Sequence, residues 1–198
     1  PFCFTFKNQV YCIPEQAEAN CVSLYKIDEK GAVIKWKNLI ENFAARDTTL
    51  IFYDQKWWLF CTKANYFENA ALFIFYSENL ETPFVPHQNN PVKVDIRNAR
   101  PAGNFFIKNN NLFRPAQNSA AHYGHKVNIN KIITLNASEF KEEIIDIIDP
   151  KQFGNYTGIH HISSQEGNTV VDLKQTKFSL HNFSNQIKRK LKRILKQN

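Results

Sequence analysis

Two carboxylates, Asp47 and Glu15, and two arginines, Arg46 and Arg100, are the residues of this chain best suited to sugar chemistry. Asp47 precedes the apolar run 50–53 and Glu15 follows the run 10–13, so each stands at the end of a strand-like segment. Glycoside hydrolysis uses such a pair, about 5–5.5 Å apart in retaining enzymes and farther apart in inverting ones. The same residues could equally be a surface ion pair of Arg46 with Asp47 and a glutamate that ends a strand. Arg100 stands where Arg46 stands one repeat earlier. A guanidinium is a planar fork suited to carboxylates, phosphates and vicinal hydroxyls, so two of them near one axis would suit an anionic sugar or sugar phosphate. The alternative for Arg100 is a structural ion pair, for example with Asp95.

A second group follows in Arg114, Gln117, His122, Tyr123 and His125, which supply amide, imidazole and phenol groups at the end of one strand and in the next loop. Planar polar groups and aromatic rings orient hydroxyls and stack on sugar faces. His122 and His125 could ligate a metal, but neither a carboxylate nor a third histidine stands at ligand spacing, so no metal and no cofactor is expected. His160 and His161 are adjacent and point to opposite faces of a strand. One of them faces the same site, and His160 is assigned to it.

Other chemistries lack their residues. No GxSxG, P-loop or dinucleotide-binding glycine pattern occurs, which leaves acyl transfer and nucleotide hydrolysis without support. The net charge is +7, but Lys188, Arg189, Lys190, Lys192, Arg193 and Lys196 supply six of those charges, leaving a body of about +1 with no clustered cations for nucleic acid. Cys3, Cys12, Cys21 and Cys61 show no CxxC spacing and read as buried free thiols in a reducing, cytoplasmic compartment. No apolar run reaches the roughly 18 residues that span a bilayer, and no signal peptide is visible.

The elements that must position these groups are strands. Seventeen Phe, seven Tyr and three Trp favour pleated, half-buried surfaces. Segments 4–14, 50–60 and 105–115 superpose as hairpins, with polar turns at Asn8 and Gln9, Asp54 and Gln55, and Asn109 and Asn110. Each is followed by a further strand pair, beginning in 21–28, 70–79 and 125–135, which makes four strands per unit. A partial fourth unit spans 158–174, with a turn at Gly167 and Asn168. Four strands recurring every 40–50 residues or so is the sequence pattern of a β-propeller blade; a β-sandwich with a helix is the alternative. Within 135–150, Asn136 or Ser138 could cap a helical turn carrying Glu142 or Glu143, leading into a strand ended by Pro150.

The segments PFCFTFKNQVYCIPE, ARDTTLIFYDQKWWLF, LFIFYSENLETPFVPHQNNPVKVDIRNARPAGNFF, NLFRPAQNSAAHYGHKVNINKI and GIHHIS resemble a bacterial family related to the N-terminal region of plant glucosamine inositolphosphorylceramide transferases. The resemblance covers residues 1–175. It implies an all-β, five-bladed propeller, similar to those of glycoside hydrolases acting on furanosides and arabinan-like chains, in proteins of surface-glycan or glycolipid synthesis. In such proteins a blade of the DPF type precedes the first strand seen here. The resemblance therefore implies an incomplete propeller of three and a half to four blades over residues 1–178, without its first blade and without the catalytic carboxylate that blade carries in related glycosidases.

Residues 179–198 form a basic tail. Ile187, Leu191, Ile194 and Leu195 share one helical face, with Lys188, Arg189, Lys192 and Arg193 among the cations on the rest. Such a helix lies in the plane of an anionic membrane, each cation adding on the order of 1 kcal/mol; a solvated tail or a partner-docking helix is the alternative. The functional expectation is thus a domain that recognises or processes a sugar, glycan or sugar nucleotide in surface-glycan or glycolipid synthesis, peripheral to the inner membrane. A glycoside hydrolase and a non-catalytic scaffold are the alternatives. An open propeller leaves edges exposed, so a second copy or a larger glycan-synthesis protein is an expected partner.

Overall fold

A computed structural model describes residues 1–165 and 167–175. The chain runs as successive antiparallel meanders. The first sheet is β1 (Phe2–Phe6), β2 (Gln9–Ile13), β3 (Cys21–Ile27) and β4 (Val33–Glu41). The second is β5 (Ala45–Tyr53), β6 (Lys56–Lys63), β7 (Ala71–Ser77) and β8 (Val85–Pro86), with β9 (Lys93–Val94) also paired to β7. The third is β10 (Phe106–Lys108), β11 (Asn111–Asn118), β12 (Lys126–Leu135) and β13 (Phe140–Ile148), and a hairpin follows of β14 (Ile162–Gln165) and β15 (Asn168–Val171).

The leading hairpin of each of the first three sheets closes on two residues with positive φ: Lys7 and Asn8, Asp54 and Gln55, Asn109 and Asn110. Two left-handed residues in a two-residue loop make a type I′ turn, whose twist matches that of the strands. The first turn lies one residue earlier than the sequence suggests, because Phe6 pairs with Gln9. That register sends Phe2, Phe4 and Phe6 to the core side, where Phe4 and Phe6 meet the Trp57 ring at 5.6 and 5.0 Å between centroids.

The sheets stack face to face, so an inner strand is buried on both sides and reads as an unbroken apolar run. In β6, Trp57, Leu59 and Cys61 join Val22 and Leu24 of the first sheet in one core. Trp58 and Phe60 face the other way, with Phe105, Leu112 and Ile132 of the third. A third, smaller core joins Phe113, Val127 and Ile129 to Ile159, with Ile162 and Val171 of the hairpin packed against it.

Two expectations are corrected. The segment after Leu135 is a hairpin turn and no helix: the Asn136 side chain accepts from the backbone N–H of Ser138 and Glu139 at 2.9 and 2.8 Å, and β13 then begins. Asn and Ser serve local turns as readily as caps. Pro150 ends no strand directly but opens a one-turn 3-10 helix, Pro150–Phe153, capped by Asp149. Of the four thiols, Cys12, Cys21 and Cys61 are buried, whereas Cys3 is exposed. The tail assigned to membrane contact lies outside the described residues.

Candidate functional site

The pairing of β5 with β6 slips between Arg46 and Thr49, and Asp47 in the slip has φ +47°. Asp is one of the few residues that adopt this left-handed state readily. The bulge lifts Asp47 off the ladder, where its carboxylate accepts from Arg100 Nε and, at 3.3 Å, from Gln117 Nε2. The Asp47 backbone N–H in turn donates to Glu15 Oε2 at 3.3 Å. Glu15 also accepts from Arg46 Nη1 at 2.7 Å, and Arg46 Nε lies 3.2 Å from Glu68. The sequence pairs Arg46 with its neighbour Asp47; the fold pairs it with Glu15 and Glu68, and gives Asp47 to Arg100. Arg100 also donates to Asn69 at 2.7 Å, and its guanidinium lies 5.1 Å from the centre of the Tyr123 ring. Only 9% of the Arg100 side chain is exposed, so water screens this pair less than the half-open Arg46 pair.

The segment that carries Arg100 is braced from behind. Gln117 donates its backbone N–H to the Arg100 carbonyl at 2.8 Å and its amide to the Pro101 carbonyl at 3.0 Å. Arg114, fully buried, donates to the carbonyls of Asn98 and Ala99 at 2.7 and 3.2 Å. It also grips Glu142 with two bonds, Nε to Oε2 at 2.8 Å and Nη2 to Oε1 at 2.6 Å. Lys93 reaches the same carboxylate. Burial raises the pKa of Glu142, but the Arg114 and Lys93 cations outweigh it and hold the group below the ordinary value. Arg114 therefore sits between the second and third sheets as a positioning residue, away from the open site for which its side-chain type suits it.

Gly103 completes the brace. Its φ is +126°, and a Cβ there would stand 1.7 Å from the Ile162 carbonyl oxygen. The parallel bridge of Gly103 to Ile162, with the Ile162 N–H donating to Ala102 at 2.8 Å, ties the last hairpin to the third sheet's leading segment.

These elements enclose a cavity of about 340 Å³, within the range of small-molecule sites. Glu15 and Asp47 form its charged wall, Thr49, Asn104 and Ser163 add polar groups, and Phe2 and Ile13 add apolar surface. The Thr49 hydroxyl in that wall and Gln117 Oε1 behind Asp47 are buried without a protein partner. Neither Arg46 nor Arg100 lines the cavity; both guanidinium groups are committed to carboxylates, so the pair of free cations anticipated for an anionic sugar is not formed. Of the adjacent histidines, His161 lines the cavity, and desolvation lowers its pKa while Asp172 opposes that. His160 pairs instead with Asp172 and lies 5.3 Å from Tyr123, ring centre to ring centre. Burial raises the Tyr123 phenol, against the lowering effect of Arg100.

His122 and His125 stand apart from this site. Their rings, 5.2 Å apart, line a second cavity of about 640 Å³ with Lys126 and the 149–157 segment. His122 Nε2 contacts the Thr157 carbonyl at 3.1 Å, and Lys126 pairs with Asp149 at 2.7 Å. Desolvation, Lys126 and His122 lower the pKa of His125. Among the described residues no group of three His, Cys, Asp or Glu side chains is placed to hold a metal ion. The sequence thus brings Asp47, Glu15, Arg46, Arg100, Gln117, Tyr123 and His160 to one neighbourhood and leaves His122, His125 and Arg114 elsewhere. It misses Glu68, Asn69, Thr49 and His161, of which only His161 carries a signal, as the other half of a histidine pair.

The profile of the family described as "Glucosamine inositolphosphorylceramide transferase 1, N-terminal" matches residues 1–166. The glucosamine inositolphosphorylceramide transferase 1 of Oryza sativa subsp. japonica is 31% identical over 176 residues, covering 84% of this chain and 24% of that protein. Its counterpart from Arabidopsis thaliana is 27% identical over 147 residues, covering 72% and 19%. The chain thus spans about a fifth to a quarter of the length of these relatives. Among solved structures, an exo-β-1,3-galactanase of Phanerochaete chrysosporium with galactose superposes with a TM-score of 0.60 at 11% identity, over 89% of this chain and 43% of that one. A family 117 glycoside hydrolase of Zobellia galactanivorans gives 0.53 at 15%, over 74% and 45%. An endo-arabinase of Bacteroides thetaiotaomicron gives 0.54 at 13%, over 85% and 61%. At these identities the likeness is one of fold, and the fold is that of the glycoside hydrolase β-propellers.

Proposed function

The chain belongs to the family of glucosamine inositolphosphorylceramide transferase 1 N-terminal domains, and from that premise we propose that it is a sugar-recognition domain of glycolipid or surface-glycan synthesis. The ligand is a neutral or aminated sugar unit, seated between Glu15, Asp47 and His161. One observation carries this reading: both cavity carboxylates are held by guanidinium groups that do not line the cavity, Glu15 by Arg46 and Asp47 by Arg100, which leaves an acceptor-rich wall beside the apolar surface of Phe2 and Ile13. Fixed acceptors of this kind suit vicinal hydroxyls or an ammonium group. A phosphate in the same place would meet two like charges.

Recognition fits the arrangement better than hydrolysis. A glycosidase needs one carboxyl that delivers a proton to the leaving oxygen, whereas Glu15 and Asp47 are both engaged as acceptors within the protein. Chemistry on the bound glycan then belongs to another part of a longer protein, a reading supported by the fraction of its relatives that this chain spans. The basic tail adds a proposed contact with an anionic membrane surface, supported by its charge and apolar spacing.

Calorimetric titration with galactose, arabinose, glucosamine and galactose 1-phosphate tests the reading. Binding of an uncharged or aminated sugar, weakened in Asp47→Asn, is expected, with no release of nitrophenol from aryl glycosides. Binding confined to the sugar phosphate, or turnover abolished by Asp47→Asn, would overturn it.

A further inference from the structure

The first hairpin carries two thiols face to face. The two-residue turn at Lys7 and Asn8 makes Phe6 opposite Gln9 the closing, hydrogen-bonded pair. Pairs along an antiparallel ladder alternate, so Thr5 with Val10 is non-hydrogen-bonded, Phe4 with Tyr11 hydrogen-bonded, and Cys3 with Cys12 non-hydrogen-bonded again. Cα atoms in such a pair stand about 4.5 Å apart with side chains on one face, inside the roughly 4.4–6.8 Å that a disulfide spans.

The two sulfurs are chemically unequal. Cys3 is exposed and lines the cavity that Glu15 and Asp47 share. Cys12 is buried, and its thiol is pushed up to about 11 by that burial and by the Cys3 sulfur beside it. The remaining thiols are out of reach. Cys61 is fully buried in the core on the other side of the hairpin. Cys12 pairs with Tyr25 on β3, and Cys21 lies four residues farther along that strand, about 13 Å away at roughly 3.3 Å per residue.

We propose that Cys3 and Cys12 are a redox pair, which a low-molecular-weight disulfide such as oxidised glutathione converts into a cross-strand disulfide in the cavity wall. The Cys3 thiolate attacks one sulfur of the oxidant and releases one thiolate, leaving a mixed disulfide on Cys3. Cys12 gives up its proton to water and attacks the Cys3 sulfur, releasing the second thiolate. In sum, two protein thiols and one small disulfide become one protein disulfide and two small thiols. The bridge ties Phe2 and Ile13, neighbours in the ladder and both part of the cavity lining, across the strand pair just before Glu15. Oxidation therefore braces the wall and removes the free Cys3 thiol from it.

The test is independent of sugar binding. The folded chain is incubated with oxidised glutathione, alkylated, unfolded, alkylated with a second reagent, digested and weighed. The expected product is a peptide pair joined through Cys3 and Cys12 and lighter by two hydrogen atoms, with Cys21 and Cys61 carrying the second reagent. Cys12→Ser should stop at a stable glutathione adduct on Cys3. A wild-type protein that stops at the same adduct, leaves Cys3 unmodified or bridges Cys3 to another cysteine would overturn the proposal.

Discussion

Replacing Glu142 with Gln should destabilise the fold more than neutralising either cavity carboxylate, because it leaves two cations facing a neutral amide between the second and third sheets. The Glu142 side chain is fully buried and that of Arg114 is 1% exposed. Removing one partner of such a pair costs about 3–5 kcal/mol. Lys93 is 22% exposed and can turn toward water, and Arg114 keeps the carbonyls of Asn98 and Ala99, so the lower end, about 3 kcal/mol, is expected. Against a total of about 5–15 kcal/mol, with a urea slope of about 2 kcal/mol/M, that is a fall of about 1.5 M in the unfolding midpoint. The effect has a pH signature. Glu142 is held below its ordinary pKa in the fold, so its contribution is complete above the unfolded value of about 4.3 and is lost as pH falls through the folded value. The gap between wild type and Glu142→Gln should therefore narrow in acid. Arg114→Met with Glu142→Met should recover much of the loss, since an apolar pair removes both desolvated charges. A gap below about 1 kcal/mol that does not change with pH would refute the argument.

Gly103→Ala should lower stability by about 2–4 kcal/mol, because its Cβ would overlap the Ile162 carbonyl and its φ is unfavourable; an unchanged thermal midpoint would contradict the close approach described. Asp47→Asn should weaken sugar binding about tenfold and lower stability by about 1–3 kcal/mol, because Arg100, 9% exposed, loses its carboxylate and keeps only Asn69 and the Tyr123 ring of the contacts described; calorimetry and a melting curve on the same sample separate the two effects. His125 should titrate below about 6.5 in a histidine NMR series, because burial and the nearby Lys126 and His122 oppose its charge. Its neutral form favours the fold, so this share of stability is present above about 6.5 and lost as pH falls through the folded value; a midpoint at or above 6.5 would count against the environment described.

What the sequence shows of this fold is what local rules govern. Strands buried on both faces must be apolar throughout, and KWWLFCTK in β6 says so directly. Two-residue hairpin turns need residues tolerant of positive φ, which marks Asp54 with Gln55 and Asn109 with Asn110. At the first turn Lys7, Asn8 and Gln9 are all polar, and only the packing of Phe4 and Phe6 on Trp57 fixes the register. The site is less legible because its partners come from far along the chain. Arg114 has the side chain of a ligand contact, but the carboxylate that claims it lies 28 residues away on β13. Arg100 finds Asp47 at a separation of 53, across two sheets. His160 and His161 stand in no strand, since β14 begins at Ile162, so the alternation expected of them does not apply; the fold sets His161 in the cavity wall and His160 beside Asp172.

The central claim is that a sugar occupies the cavity between Glu15, Asp47 and His161. The most direct measurement is a histidine-selective NMR titration of the chain with the sugar that binds it, following the ring signals of all assigned histidines. The account predicts a saturable shift of His161, a smaller one of His160 behind it, and none at His122 and His125 beside the second cavity. Shifts at His122 and His125 with His161 unmoved would place the sugar elsewhere and contradict the account.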